Sequence, residues 1–325
     1  MRKLFLVILT GLVAVGVFAW SSGTLSVYGE VDVSITYDSS EQTFNISPGI
    51  YNGWNNLVVI FSDSSNYTSF KAKFYLGDSL SLEEAYLCQY LFKSDTASLN
   101  FKAGKFDETL YYETYGWNKF KKSYSGAVKF NLEGTVENVT LGIGPVIYPV
   151  DEGKSVGFDI NPAYVNLSNL GLDAKVIVTD VTGTPSVYFA ASLDTSKFSD
   201  LKLLGEVGGS LVTKPNPDIE DVYVHIQYTY DPYTLDLLLS NEKADSGFKT
   251  DVDAGVSYST ELPVIESVDL GLSMGYSMDE GLKNVTVSAE WSKELISHKF
   301  FVEFHPEMGS EKAYAVLGWK GKVSF

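Results

Sequence analysis

Apolar and polar residues alternate along this chain from near its start to its last residue, and that period of two limits the fold more than any other feature. In GTLSVYGEVDVSITYD, Leu25, Val27, Gly29, Val31, Val33, Ile35 and Tyr37 fall on one side, with Ser26, Glu30, Asp32, Ser34 and Thr36 on the other. Successive side chains of a strand point to opposite faces, so each such segment has one apolar face and one polar face. The pattern returns in FKAKFYL (70–76), SLNFKAGKF (98–106) and YSGAVKFNL (124–132), then repeatedly to Ala313–Phe325. Leu57–Phe61, Val139–Ile143 and Val156–Ile160 carry it more weakly, and EEAYLCQYLF (83–92) is apolar on both registers. Nothing with a helical period competes. The expectation is an all-β chain of about 16–18 strands.

The ten prolines agree with this division, each falling between the alternating segments or at their edges, where the missing amide costs no ladder bond. No linker or low-complexity tract breaks the pattern, so residues 20–325 read as one domain. Before it, MRKLFLVILTGLVAVGVFA has two basic residues, a short apolar run and small Val17 and Ala19. This is the form of a secretory signal peptide, residues 1–19, cut after Ala19. Losing Arg2 and Lys3 would take the formal charge from −17 to −19, which excludes nucleic acid as a natural partner. Cys88 is the only cysteine, so no internal disulfide holds the chain together.

Alternation alone fits either a sandwich or a membrane barrel. Three features favour a transmembrane antiparallel up-and-down β-barrel. The segments are long enough for tilted spanning strands of ~9–11 residues. Aromatics such as Tyr230, Tyr258 and Trp291 close the apolar register at one end, as an interfacial girdle would. Connections on one side are short (Glu133–Glu137, Asp231–Pro232) and on the other long (Asp38–Asn55, Asp107–Lys122). In a closed barrel the last strand pairs with the first, so a chain can end inside the sheet.

The residues also resemble known barrels. GTLSVYGEVDVSITYD is similar to the first strand of general bacterial porins, and SLNFKAGKFDET resembles a strand of general and phosphate-selective porins. The alternating end, with Trp319, Val323 and Phe325, resembles the assembly signal of outer-membrane β-barrels. The resemblance implies a bacterial outer-membrane location, contact with outer-membrane lipid and with the barrel assembly machinery, a homotrimer, and passive diffusion of small hydrophilic solutes. No cofactor is implied.

In general porins the loop after the fifth strand folds inward and narrows the pore. Its counterpart here would carry Asp107, Glu108 and Glu113, with Tyr111, Tyr112, Tyr115 and Trp117. Facing it, Lys71, Lys73, Lys102 and Lys129 form a basic wall. Acids elsewhere on the inward register include Glu30, Asp32, Asp236, Asp251 and Asp253; with the chain's charge they predict a mild preference for cations. Alternative readings are a surface-structural or anchoring β-protein, and a saccharide-preferring channel with Tyr111, Tyr112, Tyr115 and Trp117 as its track. His225, His298 and His305 are too scattered for a zinc site, and no nucleophile–base spacing suggests an enzyme.

Overall fold

The computed structural model describes residues 24–48, 56–63, 68–76, 80–110, 120–150, 155–213, 218–244, 247–262, 265–293, 296–307 and 312–324; for 29–33 and several strand ends it describes the backbone alone. Long alternating segments become long strands: β1 (Thr24–Asp38), β2 (Thr43–Pro48), β3 (Asn56–Asp63), β4 (Thr68–Leu76), β5 (Leu80–Lys93), β6 (Ala97–Leu110) and β7 (Phe120–Val136). The weakly patterned middle follows as β8 (Val139–Val150), β9 (Ser155–Leu167), β10 (Leu172–Thr179), β11 (Ser186–Asp194) and β12 (Lys202–Val212). Seven more complete the sheet: β13 (Asp218–Tyr230), β14 (Tyr233–Ala244), β15 (Gly247–Leu262), β16 (Ile265–Ser277), β17 (Gly281–Lys293), β18 (Ile296–His305) and β19 (Tyr314–Ser324).

Neighbouring strands pair antiparallel all along the sheet. β19 pairs with β18 and also with β1, where Val33 faces Gly321 and Ile35 faces Trp319. The sheet therefore closes on itself. β2 pairs with one half of β1 and β3 with the other, sharing a single place, so the nineteen strands among the described residues give eighteen positions around the ring.

Several expected boundaries shift. The connection 38–55 contains β2, and β6 and β7 extend into both ends of 107–122, leaving 111–119 between them. β7 runs on to Val136, so its turn is the pair Glu137–Asn138, with Glu137 at φ 54°. Pro145 and Pro162 lie inside β8 and β9 rather than between strands. The ladder changes register at Pro145, and an irregular position tolerates a residue without an amide proton. Bulges also explain the two-register segment: β5 slips against β4 at Leu82–Glu84 and against β6 at Tyr90–Phe92, which moves apolar residues from one face to the other.

The outer face is apolar and exposed. Leu25, Leu132, Val287 and Phe300 each leave roughly half or more of their surface uncovered. The buried side chains lie mostly on the inner face. Phe106, Tyr124, Ala127 and Val146 pack together there, and Ile177 packs with Ala190.

Candidate functional site

The interior is built differently on its two sides. On β5–β9 it begins with a bulge. Gly104 sits at φ 137°, where an added Cβ would lie 2.3 Å from the carbonyl oxygen of Ala85; only glycine suits such close backbone approach. The ladder shifts register between Gly104 and Phe106, where two steps along β6 match three along β7 from Ala127 to Tyr124. Phe106 keeps the inward register of Lys102, and the extra residue of β7 brings Tyr124 inward beside it. A row of rings results: Tyr86–Phe106 at 6.2 Å, Phe106–Tyr124 at 5.5 Å and Tyr124–Tyr148 at 5.3 Å. Lysines roof them. Lys102 Nζ lies 4.7 Å from the centres of Tyr86 and Phe106, and Lys122 Nζ lies 4.3 Å from Tyr148.

Carboxylates lock those lysines in place. Asp159, fully buried, accepts from Lys122 Nζ (2.6 Å), Tyr124 Oη (2.6 Å), Tyr148 Oη (2.9 Å) and the Asp180 amide (2.8 Å). Glu108 bridges Lys102 at 2.7 Å and Lys129 at 3.0 Å. Lys71 pairs with Glu84 at 2.8 Å and Lys73 with Glu83 at 2.9 Å. The side is also pinched. β6 and β11 approach within 8 Å, Cα to Cα, whereas five strand steps along the wall would separate them by roughly 24 Å.

A seam follows on β12–β14. His225, almost fully buried, sets Nδ1 2.8 Å from Glu206 and Nε2 2.9 Å from Asp236, which also accepts from Gln227 Nε2 at 3.1 Å. Ionised carboxylates can only accept, so this geometry suits a ring that donates from both nitrogens.

Beyond the seam the inner face is polar and more open. Asp251 pairs with Lys283 at 3.0 Å. Glu303 accepts from Asn284 Nδ2 at 3.0 Å and lies 3.1 Å from His305. Glu290 and Lys299 meet at 3.3 Å with nearly half of each side chain exposed. One large ring, Phe301, lies flat over Gly318, where a Cβ would be 2.2 Å from it.

The expected basic wall is thus a set of ion pairs. Glu108 joins Lys102 to Lys129 as an acid facing lysines should, but Lys71 and Lys73 use Glu83 and Glu84, which the sequence reading passed over. Asp107 alternates with Phe106 and Glu108 and takes the opposite register. Asp236, Asp251 and Asp253 lie on inward positions of β14 and β15. Trp319 and Val323 face outward, Trp319 beside His298 and Phe300. Tyr111, Tyr112, Glu113, Tyr115, Trp117, Phe325 and the side chains of Glu30 and Asp32 lie outside the described residues. Sequence reasoning missed Asp159, the ring row and the His225 clamp. The clamp had a signal: the turn Asp231–Pro232 sets Gln227 opposite Asp236, and alternation puts Glu206, His225 and Asp236 on one face.

No family model matches the chain, and no curated protein matches it in sequence. Solved structures do match in shape. OccD3 (OpdP) of Pseudomonas aeruginosa superposes with a TM-score of 0.59, covering 93% of this chain and 91% of its own, at 9% identity. The outer membrane protein OpdK of the same bacterium gives 0.56, covering 93% and 99%, at 7% identity. The anion-selective porin of Comamonas acidovorans gives 0.51, covering 94% and 100%, at 9% identity. This is the fold of the bacterial outer-membrane porins. In a porin-type barrel the outer wall is the apolar one and the inner wall polar, the arrangement found here.

Proposed function

We propose that the chain is an outer-membrane porin, a passive channel for ions and small hydrophilic solutes with a modest preference for cations, and not an enzyme. The observation that carries the reading is the division of faces. A closed ring exposes large apolar side chains around its outside, while charged and hydroxyl side chains collect inside. In water that outer belt would cost about 25 cal/mol for every Å² left wet; in lipid the cost disappears, and closure leaves no backbone edge unpaired. Export by a cleaved signal peptide at residues 1–19, insertion by the barrel assembly machinery and assembly as a trimer belong to this reading.

One observation favours a second reading, a plugged barrel that anchors or builds a surface layer: the inner face of β5–β9 is packed and β6 leans toward β11. The saccharide track, Tyr111, Tyr112, Tyr115 and Trp117, lies outside the described residues. Planar-bilayer recording separates the first two. A channel gives stepwise, salt-dependent current from purified, refolded chain; a plugged barrel inserts without current, which would overturn the porin reading.

A further inference from the structure

Which charges a passing ion meets is decided by exposure and by how each charge is paired. On β4–β7 every lysine of the expected wall, and Lys122 beside it, lies within 3.0 Å of a carboxylate, and none of these lysine side chains is more than 27% exposed. Opposite charges that close act at a distance as a dipole, and the field of a dipole falls off faster than that of a single charge. These lysines stiffen the wall rather than present charge to the interior.

The inner face of β16–β19 is arranged otherwise. Cross-strand register places Asp269 opposite Glu290, Glu290 opposite Lys299, and Lys299 opposite Lys320. All four share the inward register, because Leu270, Leu272, Phe300 and Leu317 on the alternate register are exposed on the outer wall. The row reads two acids, then two bases. Like charges directly opposite each other repel, so this order concentrates negative charge at the Asp269 end of the row and positive charge at the Lys320 end. Asp269 accepts a neutral hydroxyl, Ser259 Oγ at 2.6 Å, which leaves its charge uncancelled. The Glu290–Lys299 contact is loose, with side chains 48% and 44% exposed. Beside the row lies a recess of about 210 Å³. Ser257, Gly271 and Ser288, all small, set it back, and Asp269, Glu290 and Lys299 border it. At roughly 30 Å³ per water it has room for several waters, so a small cation could stand next to the acids and keep much of its hydration.

We propose that this row, and not the lysines of β4–β7, determines the ion preference of the channel, Asp269 and Glu290 drawing small cations to the recess and Lys299 and Lys320 opposing them. The inference rests on the porin reading. The test is the reversal potential in a gradient of potassium chloride, kept at low salt so that screening does not hide the effect. Replacing both acids (Asp269→Asn with Glu290→Gln) lowers the potassium-to-chloride permeability ratio at least threefold. Lys299→Met with Lys320→Met raises it by a similar factor. Lys71→Gln or Lys73→Gln moves it less than either. The four residues of the row lie at exposed or partly exposed positions, and the shift in gel mobility between unboiled and boiled samples verifies folding of every variant. Current with the order of effects reversed, the β4 lysines dominating, overturns the inference and leaves the channel intact. Absence of any current from the unaltered chain overturns the porin reading itself.

Discussion

The two sides of the interior use the same kinds of residue for different ends. On β5–β9, Lys122, Tyr124, Tyr148 and Asp159 meet at 2.6–2.9 Å with Asp159 fully buried. On β16–β18, Glu290 and Lys299 meet at 3.3 Å and Asp269 accepts from a neutral hydroxyl, all beside open space. Neither composition nor alternation separates the two, since both read as polar residues on the inward register. What separates them is aromatic bulk. Rings at Tyr86, Phe106, Tyr124 and Tyr148 exclude water, so the charges near them must be paired to be tolerated. Where serine and glycine line the wall, water reaches the charges and pairing is optional. One side is a core that happens to face inward, and the other is a solvated surface.

The closed side should be the easier to break. Asp159→Ala strands Lys122 and two tyrosine hydroxyls without their acceptor, and a broken buried pair costs about 3–5 kcal/mol. Urea unfolding in detergent micelles should show that loss, with Asp159→Asn recovering part of it; an unchanged midpoint would mean the cluster is not packed. Phe106→Ala removes the ring at the centre of the row, for about 3 kcal/mol, and should also raise single-channel conductance by relieving the pinch. Lower stability without a rise in conductance would place the pinch elsewhere. At the seam, His225→Gln keeps one donor for two carboxylates, a loss of about 1–3 kcal/mol, smaller than for His225→Ala in the same unfolding assay. On the open side Glu290→Gln should change stability by less than about 1 kcal/mol while still moving the reversal potential. A large stability loss there would erase the contrast between the sides.

The ring of strands was legible in the sequence because one face must be apolar all the way round, and a period of two records that requirement in every segment. Glu108, expected in a loop, joins Lys102 and Lys129 because β6 runs on to Leu110, whereas the two lysines were legible as neighbours on one register. The bulges were not. Nothing local to Gly104 or to the Ile143–Pro145 stretch announces a slip of one residue, yet the slip opposite Gly104 turns Tyr124 of β7 inward and so helps create the closed side. Asp159 escaped notice because its segment alternates weakly and its four donors come from two other strands and the turn at Asp180. Pro145 and Pro162 misled for a related reason: proline marks a strand's end only where the ladder is regular.

The most direct test of the two-sided interior is thiol labelling during bilayer recording. In a Cys88→Ser background, Ser288→Cys on the open side and Ala127→Cys on the closed side would each be exposed to a membrane-impermeant methanethiosulfonate reagent. The account predicts a stepwise fall in current for Ser288→Cys and none for Ala127→Cys, whose side chain is buried beneath the ring row. Equal reaction at both positions, or reaction at position 127 alone, would contradict it.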